Sequence, residues 1–353
     1  MPLRKAFVTS HGVEATKEAT IVEFVGDGVS GWGECVALAE PDYTSEYADG
    51  AFEMLLRFLV PKWLHGGPTA PDRVVGHQMA KASLEFAAVD LTLRQQGRSL
   101  AEALGVIRTR VPAGVVVGLG EPVSTRDEVA WRIGEGYSRV KLKVSGSLDI
   151  EILTSLVAAF PNVVFAIDAN GSLAGWDGLL DTRITDLDNL GLQFIEQPLA
   201  TFDLDGHASL AERLQTPICL DEPLGSFVDV QRAVSMGACQ VVNLKPGRVG
   251  GLAETLSIHD WCRSNQVDLW MGGMLETGIG RAMNLAIAAL DGFTLTGDLS
   301  SSNRFFDADL TEPLTLAEGD LRVPTGPGSG VDVDRDVLRR FTTACLGFSG
   351  PSR

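Results

Sequence analysis

The stretch from Arg139 to Lys245 holds five short apolar runs, each ending in a charge: Arg139-Val140-Lys141-Leu142-Lys143, Val163-Val164-Phe165-Ala166-Ile167-Asp168, Leu192-Gln193-Phe194-Ile195-Glu196, Pro217-Ile218-Cys219-Leu220-Asp221 and Val241-Val242-Asn243-Leu244-Lys245. The terminal charges fall 25, 28, 25 and 24 residues apart. One strand, one helix and two short loops need about 25 residues. A charge at the end of a buried strand is costly for stability. The carboxyl rim of parallel strands is, however, where a (β/α)₈ barrel builds its active site.

Working outward, Ala113–Gly118 reads as a first barrel strand and Arg139–Val144 as a second. The third to sixth end at Asp168, Glu196, Asp221 and Lys245, and Asp268–Gly273 and Thr294–Asp298 supply the last two. Helices are expected at 149–160, 205–214, 227–236, 251–264 and 278–290. Residues 112–320 therefore form the barrel. Residues 1–111 break this rhythm. Strands are expected at 6–10, 20–25 and 31–37, with Gly26-Asp27-Gly28 as a hairpin turn. Helices follow at 45–59, capped by Ser45 and stopped before Pro61, and at 71–96, ended by Gly97. This is a small α+β domain. The tail 321–353, rich in glycine and proline at 324–328, reads as a strap returning to it.

At 353 residues and 45% hydrophobic, the chain has material for a barrel of about 250 residues and a further small domain. Its net charge of −17 argues against nucleic-acid binding. Five scattered cysteines without CxxC spacing read as reduced core thiols, not a disulfide framework or zinc site. No apolar stretch approaches a membrane span, and no apolar segment follows Met1-Pro2-Leu3-Arg4-Lys5, so a soluble, cytoplasmic protein is expected. Association into a homo-oligomer through a barrel face is compatible with this pattern. The five histidines lie away from the strand tips, and no GxGxxG occurs.

Three carboxylates, Asp168, Glu196 and Asp221, end three successive strands. All-oxygen ligation favours Mg²⁺, with Mn²⁺ second. The acids could instead cap the following helices, but that leaves the lysines unexplained. Lys141 and Lys143 are two apart and share one face of a strand. Lys245 lies four strands on, across the mouth. A small carboxylate substrate held at the metal would have an amine on each side, the arrangement for moving a proton next to a carboxylate. A lysine base must be neutral, so its pKa has to fall from about 10.4. The metal and Lys141 would lower it at Lys143, and Arg248 at Lys245. Asn170 is either a substrate contact or a cap. The glycines of 272–278 either let a ligand approach the backbone or make a plain turn. A Schiff-base aldolase using Lys245 is the rival of another class.

The chain resembles the muconate-lactonizing branch of the enolase superfamily, in its o-succinylbenzoate synthase/N-succinylamino acid racemase group, along essentially its whole length. The resemblance is carried by Thr9-Ser10-His11-Gly12, Gly31-Trp32-Gly33-Glu34-Cys35, His77-Gln78-Met79-Ala80-Lys81, Lys141-Leu142-Lys143, Asp168-Ala169-Asn170, Ile195-Glu196-Gln197-Pro198, Cys219-Leu220-Asp221-Glu222, Asn243–Gly251 and Gly272–Gly280. A lysine base beside Mg²⁺ is the known pattern of that superfamily. The resemblance implies a modified (β/α)₇β TIM barrel under an N-terminal α+β capping domain. It implies Mg²⁺ on Asp168, Glu196 and Asp221, and acid/base work by Lys143 and Lys245. Lys141 and Asn170 would neighbour the substrate carboxylate, and Gly273, Met274 and Leu275 the succinyl portion. The implied reaction is loss of water from a succinyl-hydroxycyclohexadiene carboxylate, through an enediolate, to give o-succinylbenzoate for menaquinone biosynthesis. In it, Lys143 takes the α-proton and then assists hydroxide departure, while Lys245 serves mainly as a positive charge. Racemisation of N-succinylamino acids would use both lysines. A dedicated N-acylamino acid racemase or a dipeptide epimerase is the nearest alternative, although Asp298-Leu299-Ser300 lacks the paired acids of the epimerase. Two positions depart from the group: Val116 and Pro223 stand where serine is usual.

Overall fold

The computed structural model describes residues 1–8, 13–67, 74–118, 122–146, 149–173 and 180–350. Strands β1 (Pro2–Val8) and β2 (Val13–Thr16) pair antiparallel, as do β3 (Thr20–Gly26) and β4 (Val29–Cys35). The expected hairpin turn is there, with Asp27 and Gly28 both at positive φ (51° and 76°), the conformation that matches strand twist. The strand β2 had no counterpart in the expectations. Residues 9–12, with the Thr9–Gly12 motif, and 71–73 lie outside the described residues; the helix expected at 71–96 begins only at Gln78, because 74–77 are not helical and His77 is left-handed (φ 55°).

The expected helix at 45–59 differs from what forms. It begins after Tyr47 without a side-chain cap, as α1 (Ala48–Met54), and does not stop before Pro61. A π-helical turn (Leu55–Leu59) leads directly into α2 (Val60–Gly66), with Pro61 in its first turn. Proline lacks an N–H and clashes with a carbonyl one α-turn back. The widened turn accommodates it without ending the helix. Next come α3 (Gln78–Gln96), α4 (Leu100–Ala103) and β5 (Arg110–Pro112).

The barrel alternates β6 (Gly114–Gly118), α5 (Pro122–Gly134), β7 (Arg139–Lys143), α6 (Ile150–Ala159), β8 (Val164–Asp168), α7 (Leu180–Asp188), β9 (Ile195–Glu196), α8 (Leu204–Arg213), β10 (Ile218–Leu220), α9 (Phe227–Ser235), β11 (Val241–Leu244), α10 (Pro246–Val249), α11 (Leu252–Ser264), β12 (Asp268–Met271) and α12 (Gly278–Ala288). Strands β6 to β12 make one parallel sheet in chain order. The eighth position is not a regular strand. Residues 294–298 occupy it: on the β12 side Thr294 N and Leu295 N donate to Leu269 O at 3.0 and 3.2 Å and Asp298 N to Met271 O at 2.9 Å, and on the β6 side Gly114 N donates to Gly297 O at 2.9 Å. The ring closes, and seven strands plus this segment realise the (β/α)₇β form.

Strand side chains facing the helices build the main apolar core. Inside the ring, Ala166, Phe194, Cys219, Val241 and Trp270 fill the floor. After the barrel, β13 (Leu316–Ala317) and β14 (Asp320–Arg322) join β5 in an antiparallel sheet, and α13 (Arg335–Phe341) follows. Four cysteines are buried and free, as expected, but Cys345 is exposed, because it lies beyond α13. Among the described residues, no helix is long and apolar enough to cross a membrane.

Candidate active site

Each strand tip delivers its charge to one region because parallel strands in register raise their last residues together. Lys143 pairs with Asp168 across β7 and β8, and Asp168 with Glu196 across β8 and β9. Asp221 follows β10 directly, and Lys245 follows β11 as the residue before α10. Lys141, Lys143, Asp168, Asn170, Asp221, Lys245, Gly273, Met274 and Leu275 all line one cavity of about 330 Å³. Its other walls include Leu38, Tyr43, Val116, Asp298 and Arg304. Glu196 is fully buried behind that lining.

The charges are paired closely. Lys143 Nζ donates to Asp168 Oδ2 at 2.7 Å and to Asn170 Oδ1 at 2.6 Å. Lys141 Nζ lies 2.6 Å from Glu196, 2.7 Å from Asp298 and 3.2 Å from Asp168. Lys245 Nζ donates to Asp221 Oδ2 at 2.8 Å and to the Tyr43 hydroxyl at 2.9 Å. Arg248 also binds Asp221 and Tyr43. Asn170 Nδ2 donates to Glu222 at 2.8 Å, so this residue bridges β8 to the loop after β10 instead of capping a helix. Pro223 sits in a tight turn of that loop, where Leu224 N donates to Asp221 O at 3.1 Å.

Burial opposes ionisation of Asp168, but Lys143 and Lys141 outweigh it and hold the carboxyl below its ordinary range. Asp221 is likewise held well below it, by Lys245 and Arg248 against the cost of burial. Glu196 goes the other way, because burial and then the Asp168 charge push it up to about 8. At Lys245, burial and Arg248 both favour the neutral amine, as the sequence suggested for Arg248. Asp221 and Tyr43 outweigh them, however, and the pKa rises well above the ordinary lysine value. A Schiff-base nucleophile would need the opposite shift.

Among the described residues, no three His, Cys, Asp or Glu side chains stand close enough, as they lie, to hold an ion. Each carboxylate is turned to an ammonium or guanidinium. The donor chemistry nevertheless fits a hard divalent cation. Three buried carboxylates from neighbouring strands offer only oxygen, and Glu196, raised to about 8, is short of positive charge.

Several neighbours were not anticipated. Tyr43 comes from a loop of the N-terminal domain and carries no sequence signal. Asp298, the end of the expected eighth strand, binds both Lys141 and Arg139, a pairing its place in the sequence does not announce. Asn243 donates to Glu196 at 2.7 Å. Its place two residues before Lys245, on the same face of β11, was readable.

Residues 124–337 match the family model described as the enolase C-terminal domain-like family. An N-succinylamino acid racemase from Amycolatopsis is 43% identical, over 98% of this chain and 95% of its own. An o-succinylbenzoate synthase from Bacillus subtilis is 41% identical, over 97% and 94%. A crystal structure of an enolase-superfamily member from Listeria innocua superposes with a TM-score of 0.91 at 37% identity, over 97% and 94% of the two chains. With lysines and acids on successive strand tips of a (β/α)₇β barrel, and with this likeness over nearly its full length, the chain belongs to the enolase superfamily, among the o-succinylbenzoate synthases and N-succinylamino acid racemases.

Proposed function

We propose that this chain is a divalent-cation-dependent o-succinylbenzoate synthase, a hydro-lyase of menaquinone biosynthesis acting on a small-molecule carboxylate, and that the same site racemises N-succinylamino acids. One observation carries the reading: Lys143 and Lys245 enter a single cavity from β7 and β11, either side of the carboxylate-bearing strands β8, β9 and β10. The superfamily's enzymes are metal-dependent. Asp168, Glu196 and Asp221 are the residues that would hold the ion, Mg²⁺ before Mn²⁺. When bound, it supplies positive charge to the substrate carboxylate as charge grows there.

In the dehydration, the Lys143 amine takes the α-proton. The C–O bond at the neighbouring carbon then breaks, and the proton on Lys143 leaves with hydroxide as water, so atoms and charge balance. Lys245, held cationic by Asp221, stabilises the developing negative charge from the other side. Lys141, bonded to two carboxylates of the cluster, stays charged and orients the substrate carboxylate with Asn170. Gly273, Met274 and Leu275 bring backbone and apolar surface to the succinyl chain. In racemisation, Lys143 and Lys245 would act on opposite faces of the α-carbon, Lys245 as the acid while Asp221 holds it cationic and as the base where Asp221 turns from it to hold the ion.

The division into a capping domain (1–111), a barrel (112–320) and a returning segment (321–353) fits this role. Tyr43 and Leu38 come to the cavity from the first part.

The test is Lys143→Ala. Dehydration is expected to fall by about three orders of magnitude or more, with the melting temperature and Mg²⁺ binding retained. Near-normal turnover in that variant would end the mechanism. Racemisation is checked in D₂O. Wild type should place deuterium at the α-carbon of both enantiomers of an N-succinylamino acid, and either lysine variant in one only.

A further inference from the structure

The cavity has two chemically different ends. Asp168, Asp221 and their lysines form one. At the other stands Arg304, closing the short turn Ser302–Arg304. Its Nη2 donates to the carbonyl of Val116 on β6 at 2.6 Å. In a ring of eight positions β6 is the first and β10 the fifth, so Arg304 and Asp221 face each other across the mouth.

Among the described residues, Arg304 has no direct ion-pair partner, and the bond to Val116 is its only side-chain hydrogen bond. The other arginine lining the cavity, Arg281, differs: it pairs with Glu276 at 3.4 Å and donates to Ser300 O at 2.8 Å. Near Arg304, the acids Glu128 and Glu135 are taken by Arg132, at 3.2 and 2.9 Å. Burial, and then repulsion from Arg132, pushes the Arg304 guanidinium down to about 10. A partly buried cation with no ion-pair partner among the described residues is costly. A guanidinium fork with donors left over, set in the wall of a cavity, matches a carboxylate. The adjoining β6 wall offers only the apolar side chain of Val116, and Phe305 packs against the guanidinium at 5.4 Å. The surroundings thus favour an apolar chain ending in an anion.

We propose that Arg304 receives the distal carboxylate of a dicarboxylate substrate, at the end remote from the proton transfer. This rests on the reaction assigned above, whose succinyl chain ends in such a group, and it makes Arg304 the residue that selects succinyl over neutral acyl chains.

The test uses two probes in Mg²⁺ buffer, followed by calorimetry: o-succinylbenzoate, and 2-butyrylbenzoate, which replaces the distal carboxylate with methyl. Wild type should bind the first more tightly by about 10- to 100-fold. Arg304→Met should lose that preference by weakening o-succinylbenzoate alone, and Arg304→Lys should recover part of it, both with melting temperatures near wild type. Kinetically, kcat/KM of Arg304→Met should fall for N-succinylamino acids and hold for N-butyrylamino acids. Equal weakening of both probes in Arg304→Met would mean a structural arginine and overturn the proposal. Equal binding of both probes by an active wild type also overturns it, while the reaction assignment stands. A wild type that binds neither probe and dehydrates nothing overturns the reaction assignment, and the subsite with it.

Discussion

At the scale of single residues, the site is a set of buried charges whose partners decide their state. Lys141 illustrates this. Burial opposes its charge, but Asp298, Glu196 and Asp168 outweigh it and raise its pKa well above the ordinary value. Asp298 is itself held by Arg139, which lies beside the stacked Phe194 and Trp270 rings, 5.4 and 5.0 Å from their centroids. Removing one partner of such a buried network leaves charges uncompensated, at a cost of about 3–5 kcal/mol. Asp298→Ala should therefore lower the urea midpoint by that equivalent and depress turnover through Lys141. Asp336→Ala, which breaks an ion pair to Arg339 with both side chains largely exposed, should change the midpoint little. If the two variants melt alike, the Asp298 network is not what holds the floor of the site.

Among the elements, the fit of β4 against α3 positions the N-terminal domain. A Cβ on Gly33 would lie 2.0 Å from the Ser83 carbonyl oxygen, and one on Gly31 2.2 Å from the Leu91 amide nitrogen. Backbone on both sides leaves nothing to rotate away. Gly33→Ala is expected to cost about 3 kcal/mol, as for overpacking of a tight core, and should loosen the loop that carries Tyr43. Thermal denaturation checks the first expectation, and KM for the carboxylate substrate the second. Gly31-Trp32-Gly33 could be quoted from the sequence as a motif, but nothing local says which helix it meets. Period and punctuation located most barrel helices within a residue or two, because helix caps and apolar spacing are local properties. They failed at Pro61, where the helix continues through a π-turn, and at 294–298, where residues without regular strand structure close the ring through scattered backbone bonds to Leu269, Met271 and Gly114.

For the whole molecule, Glu34 ties the N-terminal domain to the barrel. Its carboxylate accepts from Thr277 N and Oγ1 and from Gly280 N, at the start of α12. Burial raises its pKa from 4.5 to about 7, with the Thr277 bonds opposing. Because the folded pKa exceeds the unfolded one, the stability it contributes is complete below about pH 4.5 and is lost as the pH rises through 7. Glu34→Gln should thus flatten the stability profile between pH 5 and 8 in chemical denaturation. An unchanged slope would show that the carboxyl stays ionised throughout. Asp90 makes a second tie, accepting from Trp32 N on β4, from Arg94, and from Ser329 N in the C-terminal segment.

The sequence alone determined the alternation of strands and helices, the charge at each strand tip, and the grouping of Lys141, Lys143, Asp168, Glu196, Asp221 and Lys245. A parallel barrel converts a repeat along the chain into a ring in space, so residues about 25 apart must meet at one rim. Only the tertiary structure decided which charge faces which. It set Asp298 against Lys141 and Tyr43 against Lys245, and among the described residues left Arg304 without an ion-pair partner, because loops and separate domains bring those residues together with no fixed spacing between them. Protonation states followed the same division: each depends on burial and on neighbours distant along the chain, and neither is written in the order of the residues.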